Sequence, residues 1–207
     1  AGRCRPPLTV LQKSPRQRII SAIQRLTWRD HRLRENLLRF INWLRFINLL
    51  SAAAVFGLAL AHALEIPGKR GLDSTQWLAV QQSFYGGFAL IGGLAEVLGL
   101  VTSLLLLLPL RKRPRALVQT VIGALCFLGM LLIYFFVNRP INSRIASWTP
   151  TTIPDDWTFY RNLWDYAHLG TTLLATVAIV LLLLAALMPD APREVQQPAA
   201  QDASTSR

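Results

Sequence analysis

Residues 163–188 read LWDYAHLGTTLLATVAIVLLLLAALM, and this stretch decides the fold. Coiled as a helix, it extends roughly 39 Å at about 1.5 Å per residue, enough to cross a hydrocarbon core of about 30 Å with some tilt. Its first turn and a half holds Asp165 and His168, three residues apart and so neighbours on one helix face. An ionisable pair entering a membrane is costly unless it meets a bundle interior, a partner or water. The pair is therefore a candidate site.

Three further stretches of the same kind precede it. Span one runs from about Phe46 to Ile66 and is expected to stop at Pro67-Gly68, a helix-ending pair. Asp73 and Gln76 then read as a capping box opening a helix that starts before the bilayer, with Trp77 at the interface and an apolar core from Phe84 to Leu110. Gly86, Gly87, Gly92, Gly93 and Gly99 within it predict close approach of a neighbouring helix. Span three covers about Ala116 to Val137, followed by a connection, Asn138 to Asn162, with no evident regular structure. So long a connection is usually functional. The fold class is all-α: an integral membrane four-helix bundle over residues 46–188. A basic region, 1–45, carrying an amphipathic helix, precedes it, and a polar tail of disordered composition, 189–207, follows.

Only 16% of the 207 residues are charged and 52% are hydrophobic, against about a quarter charged in soluble domains. The net charge of +11 is concentrated. Residues 1–45 hold eleven Lys and Arg against Asp30 and Glu35, and Arg111-Lys112-Arg113-Pro114-Arg115 holds four more. Residues 1–18 have the composition of a disordered segment. From Ile19 to about Arg45 apolar residues recur at helical spacing (Ile19, Ile23, Leu26, Leu33, Leu37, Leu38, Ile41) with arginines between them. That pattern predicts a helix lying on anionic lipid headgroups; nucleic acid is the rival partner for so much arginine, but no recognition motif accompanies it. Basic loops stay on the cytoplasmic side, so four spans place both termini in the cytoplasm and loops 67–83 and 138–162 outside. The first apolar stretch begins past position 40 and is too long for a signal peptide. Cys4 and Cys126 are too few and too differently placed for a disulfide framework.

This topology gathers polar groups at one level. Span one ends in His62-x-x-Glu65, span four begins with Asp165 and His168, and span two begins with Tyr85. Span three ends in Tyr134, and Asn138, Arg139 and Asn142 follow it. Glu96 lies roughly 16 Å deeper, where a bare carboxylate is expensive. Each has an ordinary alternative. The histidines are either satisfied interfacial groups or a site, and two at one depth, each with a carboxylate beside it, favour the site. Trp77, Trp148, Trp157 and Trp164 form either an aromatic belt or a stacking surface. Tyr85 and Tyr134 either pack at the interface or help bind a ring. Arg144 and Arg161 are loop charges or partners of Asp155, Asp156 and Asp165. Glu96 either joins a site or hydrogen-bonds Thr102, Ser103 or Thr120.

His62-x-x-Glu65-x-Pro67, Asn138-x-Pro140-x-Asn142, the Trp148 beyond it, Asp156-Trp157 with Arg161, and Trp164-Asp165-x-x-His168 together carry a likeness. Over residues 46–188 the chain resembles the anthrone-oxygenase-like family of small four-helix membrane proteins, many of whose members carry a domain of unknown function. The resemblance implies oxygenation of an anthrone or similar phenolic ring, a reaction regarded as needing no metal or flavin. His168 oriented by Asp165, or His62 oriented by Glu65, would take a ring proton. Asn138, Asn142 and Arg144 would donate to the developing enolate oxygen. Trp148, Trp157 or Trp164 would stack on the flat substrate, beside Tyr85 and Tyr134.

Two rival expectations stand beside this one. His-x-x-Glu on span one, Glu96 on span two and Asp-x-x-His on span four are similar to the ligands of carboxylate-bridged metal bundles, and His62 with His168 would suit a haem. Alternatively the chain is a non-catalytic accessory or assembly subunit, gripping a partner membrane subunit through its basic N-terminal region. No P-loop, dinucleotide fingerprint or Ser-His-Asp arrangement is present, and four spans without an internal repeat make a poor transporter.

Overall fold

A computed structural model describes residues 15–187, with side chains from residue 31 onward; the tail at 189–207, Cys4, and the side chains of Ile19, Ile23 and Leu26 lie outside the described residues. The chain divides into two compact units, one up to Trp43 and one from Leu44. The first contributes only helix among the described residues. It begins at Pro15, inside the stretch read as disordered, and a proline is well placed in a first helical turn because its missing N–H would have no partner there.

Six α-helices make up the described residues: α1 Pro15–Lys69, α2 Ser74–Phe84, α3 Gly86–Leu110, α4 Pro114–Ile133, α5 Arg139–Ala146 and α6 Trp157–Leu187. One π-helical turn, Tyr134–Asn138, joins α4 to α5. Four stretches are long and apolar enough to cross a membrane: His31–Lys69, Gly86–Leu110, Pro114–Ala146 and Trp157–Leu187. The protein is an integral membrane helical bundle.

The faces that meet recur every three or four residues, as α-helical geometry demands. In α3 the buried set is Ala95, Glu96, Gly99, Thr102, Ser103, Leu106 and Leu110, and in α6 it includes Ala175, Ala178, Leu182 and Ala185. Small residues dominate because lipid tails are as apolar as leucine, so helices associate by close packing rather than by escape from water. Of the α3 glycines, Gly99 requires its missing side chain: an added Cβ would lie 2.2 Å from the ring of the fully buried Phe127 on α4. Gly86, Gly87 and Gly93 face open space. Asn48, unremarked in span one, points its amide nitrogen at Gly99 O (3.0 Å), Thr102 Oγ1 (2.9 Å) and Ser103 Oγ (2.8 Å). Thr102 also bonds back to Leu98 O and Thr120 to Ala116 O, so these hydroxyls are engaged without Glu96.

Three details depart from the sequence reading, and all three shape the end where α1 and α4 finish and α3 and α6 begin, here called the upper end. Pro67 does not stop α1. The helix runs on to Lys69 because a proline near the C-terminus forfeits one hydrogen bond, while Arg70 N still donates to Ile66 O at 3.0 Å. The second helix breaks at Tyr85 (φ −98°, ψ 0°), just before the Gly86-Gly87 pair that helices hold poorly. The stretch 138–162 is largely helical. Pro140 removes a hydrogen-bond donor, and the chain absorbs it by widening to a π turn, with Arg139 N–H reaching Tyr134 O, before continuing as α5. Trp77, expected near the interface, is fully buried against protein, with its ring centre 5.5 Å from that of Trp157.

Candidate functional site

From the Gly99–Phe127 contact toward the upper end, α3 parts from α4 and its continuation. The space between them is a cleft of about 740 Å³. Its back wall comes from α1 (Val55, Ala59, His62) and α6 (Trp164, His168, Thr171), and its mouth lies among the exposed Gln82, Gly86, Ala89 and Asn142. Gln82 ties α2 to α5 across the mouth by donating to Ile145 O and Trp148 O, both at 3.0 Å.

The centre of the cleft is a pair of touching imidazoles. His62 and His168 stand edge to face with ring centres 4.4 Å apart. Trp164 lies tilted over His168 at 3.8 Å and edge-on to His62 at 5.1 Å, while Tyr85 and Phe88 close on His62 at 4.8 and 4.9 Å. His168 is oriented by backbone geometry. Its Nδ1 lies 2.9 Å from Trp164 O, one turn back in α6, and a carbonyl oxygen only accepts, so Nδ1 carries the hydrogen. Nε2 keeps its lone pair. The Asn138 amide nitrogen rests against the same ring, 2.9 Å from Nδ1 and 3.4 Å from Nε2. The π turn brings it there, since Asn138 is that turn's last residue and is buried. His62 Nδ1 is buried without a hydrogen-bond partner among the described residues.

The carboxylates do not orient the imidazoles as expected. Asp165 turns away from His168 and is fully buried, its nearest cation being Arg70 Nε at 3.7 Å. Three residues along a helix leave about 60° between side-chain directions, enough to send the two into different neighbours. Glu65 Oε2 stands 3.8 Å from His62 Nδ1, beyond hydrogen-bond reach, and instead accepts from Tyr85 OH at 2.6 Å and pairs with Lys69 at 3.2 Å.

Lys69 escaped the sequence reading because the helix was expected to end at Pro67. It is buried, donates to Tyr85 OH at 3.1 Å, and sits 4.3 Å from the Trp164 ring centre in a cation–π contact. The signal was present in the i, i+4 spacing of Glu65 and Lys69.

Of the residues singled out, His62, His168, Asn138, Asn142, Trp148, Trp164, Tyr85 and Tyr134 line the cleft. Asn142 accepts from Trp164 Nε1 at 3.1 Å. Arg144 does not face in; it donates to Tyr160 OH at 2.6 Å. Trp157 stacks with Trp77 and lies under the Arg161 guanidinium at 4.8 Å, on the far side of α6. Among the described residues no three His, Cys, Asp or Glu side chains gather as a metal would need, because Glu96 lies deeper and Asp165 faces elsewhere. The imidazoles touch each other, which leaves no room for a macrocycle between them.

Fold and site thus define an integral membrane helical protein with an aromatic cleft built around two imidazoles. Compared with family models, curated proteins and solved structures, the chain matches none.

Proposed function

We propose that the cleft binds a flat, oxygen-bearing aromatic ring and oxygenates it with O₂ directly, as the resemblance to anthrone oxygenases implies. The observation that carries this reading is the His62–His168 contact inside an aromatic wall, with the Nδ1 hydrogen of His168 held on Trp164 O and Nε2 left as a base. A ring CH₂ flanked by two aryl rings that conjugate it to a carbonyl across the ring is acidic. Removal of one proton by Nε2 leaves an enolate whose carbon bonds to O₂; the resulting peroxide loses water and becomes a carbonyl. The balance is R₂CH₂ + O₂ → R₂C=O + H₂O, and the imidazolium returns its proton to the departing oxygen. Asn142, whose Oδ1 is occupied by Trp164, presents its NH₂ as the donor for the enolate oxygen, in place of Arg144. Asn138 serves as a positioning residue for His168; with Nδ1 carrying the hydrogen, its NH₂ can donate only to Nε2, weakly at 3.4 Å, and yields to the substrate there.

The orientation follows from charge. Arg111, Lys112 and Arg113 occupy the α3–α4 turn at the lower end, whereas Lys69, Arg70, Arg139, Arg144 and Arg161 at the upper end are matched by Glu65, Asp73, Asp155, Asp156 and Asp165. The excess of cations puts the lower end and both termini in the cytoplasm and opens the cleft toward the outer leaflet. Replacing His168 by Ala in purified protein given an anthrone is expected to lower oxygen uptake at least a hundredfold. Unchanged uptake would remove the assigned role.

A second reading, a non-catalytic subunit, draws on the exposed Leu33, Leu37, Leu38, Phe40 and Trp43 of the N-terminal unit, a face able to meet lipid or a partner helix. A stoichiometric membrane partner retained on purification, with no oxygen uptake by the isolated chain, would favour it.

A further inference from the structure

The cleft does not end at the imidazoles. It continues down α3 to Glu96, a residue that the proposed chemistry leaves unused. Glu96 is 8% exposed, lines the deep end of the cavity, and has neither a hydrogen-bond nor an ion-pair partner among the described residues. The threonine hydroxyls that would ordinarily satisfy it donate elsewhere, Thr102 to Leu98 O and Thr120 to Ala116 O, while Ser103 Oγ accepts from the Asn48 amide. A polar group in such a setting is normally partnered. The missing partner therefore belongs in the space that the carboxyl faces.

We infer that Glu96 is a second recognition point, accepting a hydrogen bond from a hydroxyl at the leading end of a flat ligand whose other end lies against His62 and His168. This rests on the cleft being a ring-binding site, as proposed above. The spacing sets the ligand's length. The Phe88 ring lies 4.9 Å from His62, and the eight residues from Phe88 to Glu96 rise about 12 Å along α3. Phe88 and Glu96 lean alike toward the N-terminus, so the carboxyl sits roughly 12 Å below the imidazoles. Three linearly fused rings with a hydroxyl on the end ring cover about that distance. Small side chains line the space between: α3 offers Gly92 and Gly93 to it, and α1 offers Val55 and Ala59. In either protonation state the carboxyl accepts from a ligand O–H, so the preferred molecule carries a hydroxyl on the terminal ring that enters first.

The test separates recognition from turnover by using compounds that are already oxidised. Binding of 2-hydroxyanthraquinone and of anthraquinone, which lacks the hydroxyl, is followed by tryptophan quenching in lipid nanodiscs, with empty nanodiscs correcting for partition. Wild-type protein is expected to hold the hydroxy compound about tenfold more tightly, the worth of one hydrogen bond to a carboxyl group. Glu96→Leu should reduce that preference to within twofold. Glu96→Gln, which keeps an accepting oxygen, should retain most of it, and circular dichroism on both variants confirms that the bundle is intact. His168→Ala should lose oxygen uptake yet keep the preference. A wild-type protein that binds neither compound, or does not distinguish them, overturns the inference, as does a preference that survives in Glu96→Leu. Retained uptake in His168→Ala overturns only the catalytic assignment.

Discussion

Replacing Gly99 by alanine tests the packing on which the cleft depends. The new methyl carbon would fall 2.2, 2.3 and 2.7 Å from three ring atoms of Phe127. The ring is fully buried and cannot swing into open space. Relief to ordinary contact requires α3 and α4 to part by about 1 Å, in an interior packed as densely as an organic crystal. Overpacking of this kind costs about 1–3 kcal/mol. The same shift strains the 3.0 Å bond from Asn48 to Gly99 O, and interhelical hydrogen bonds in membranes are worth about 0.6–1.7 kcal/mol. The expected loss is about 2–4 kcal/mol, a fall in thermal midpoint on the order of 10 °C for a chain of this size. Tryptophan fluorescence of detergent-solubilised protein during heating reads it directly. The decisive comparison is made in a Phe127→Leu background, where no ring is present to strike. There the alanine should cost less than 1 kcal/mol, so the two substitutions couple strongly. An unchanged midpoint in Gly99→Ala, or an equal penalty in both backgrounds, would refute the close approach.

Two further outcomes follow from the upper end. Lys69→Met keeps the apolar stem but removes the charge that holds Glu65, Tyr85 and the face of Trp164; a loss of about 2 kcal/mol is expected, and a thermal midpoint equal to wild type would show that the charge contributes nothing. Asp73 caps α2, and hydrogen bonds from the Gln76 backbone N–H (2.9 Å) and the Thr75 hydroxyl (2.7 Å) hold its carboxyl below the usual aspartate range. A depressed folded value contributes stability above the ordinary carboxylate pKa that is lost as pH falls through the folded one. Amide exchange at Gln76 and Trp77 should therefore quicken below about pH 4 in the wild type. Asp73→Asn, which caps without titrating, should show no such step; an identical step in both would assign it to another group.

The course of each helix was legible wherever a local rule was left unopposed. The capping box of Asp73 and Gln76 forms as its spacing requires. The rule that proline ends a helix failed at Pro67, and the span expected to end at Val137 continues past Pro140 for the same reason. A helix held by packing over several turns tolerates one missing hydrogen bond, and the chain answers with one more turn or with a π turn. Those two exceptions carry Lys69 and Asn138 into the site; Asn138 was legible from its motif, whereas Lys69, assigned to the connection after Pro67, was missed. Trp157 and Arg144 were misplaced for a related reason. Both lie on elements whose rotation is set by the Trp77–Trp157 contact and by Tyr160, which composition does not reveal.

By itself the sequence determined the number of apolar crossings and the shared level of His62, Tyr85, Asn138 and His168, because transfer into lipid is summed residue by residue along a helix and needs no knowledge of neighbours. Only the tertiary structure decided which groups share a space. It set His168 against His62 and Asn138 rather than Asp165, and it opened a cleft from the Gly99–Phe127 contact upward, with Glu96 at its floor. The reason is rotational. Adjacent side chains on a helix differ by about 100°, so a small turn of one helix against the next changes a residue's partner while leaving its depth unaltered.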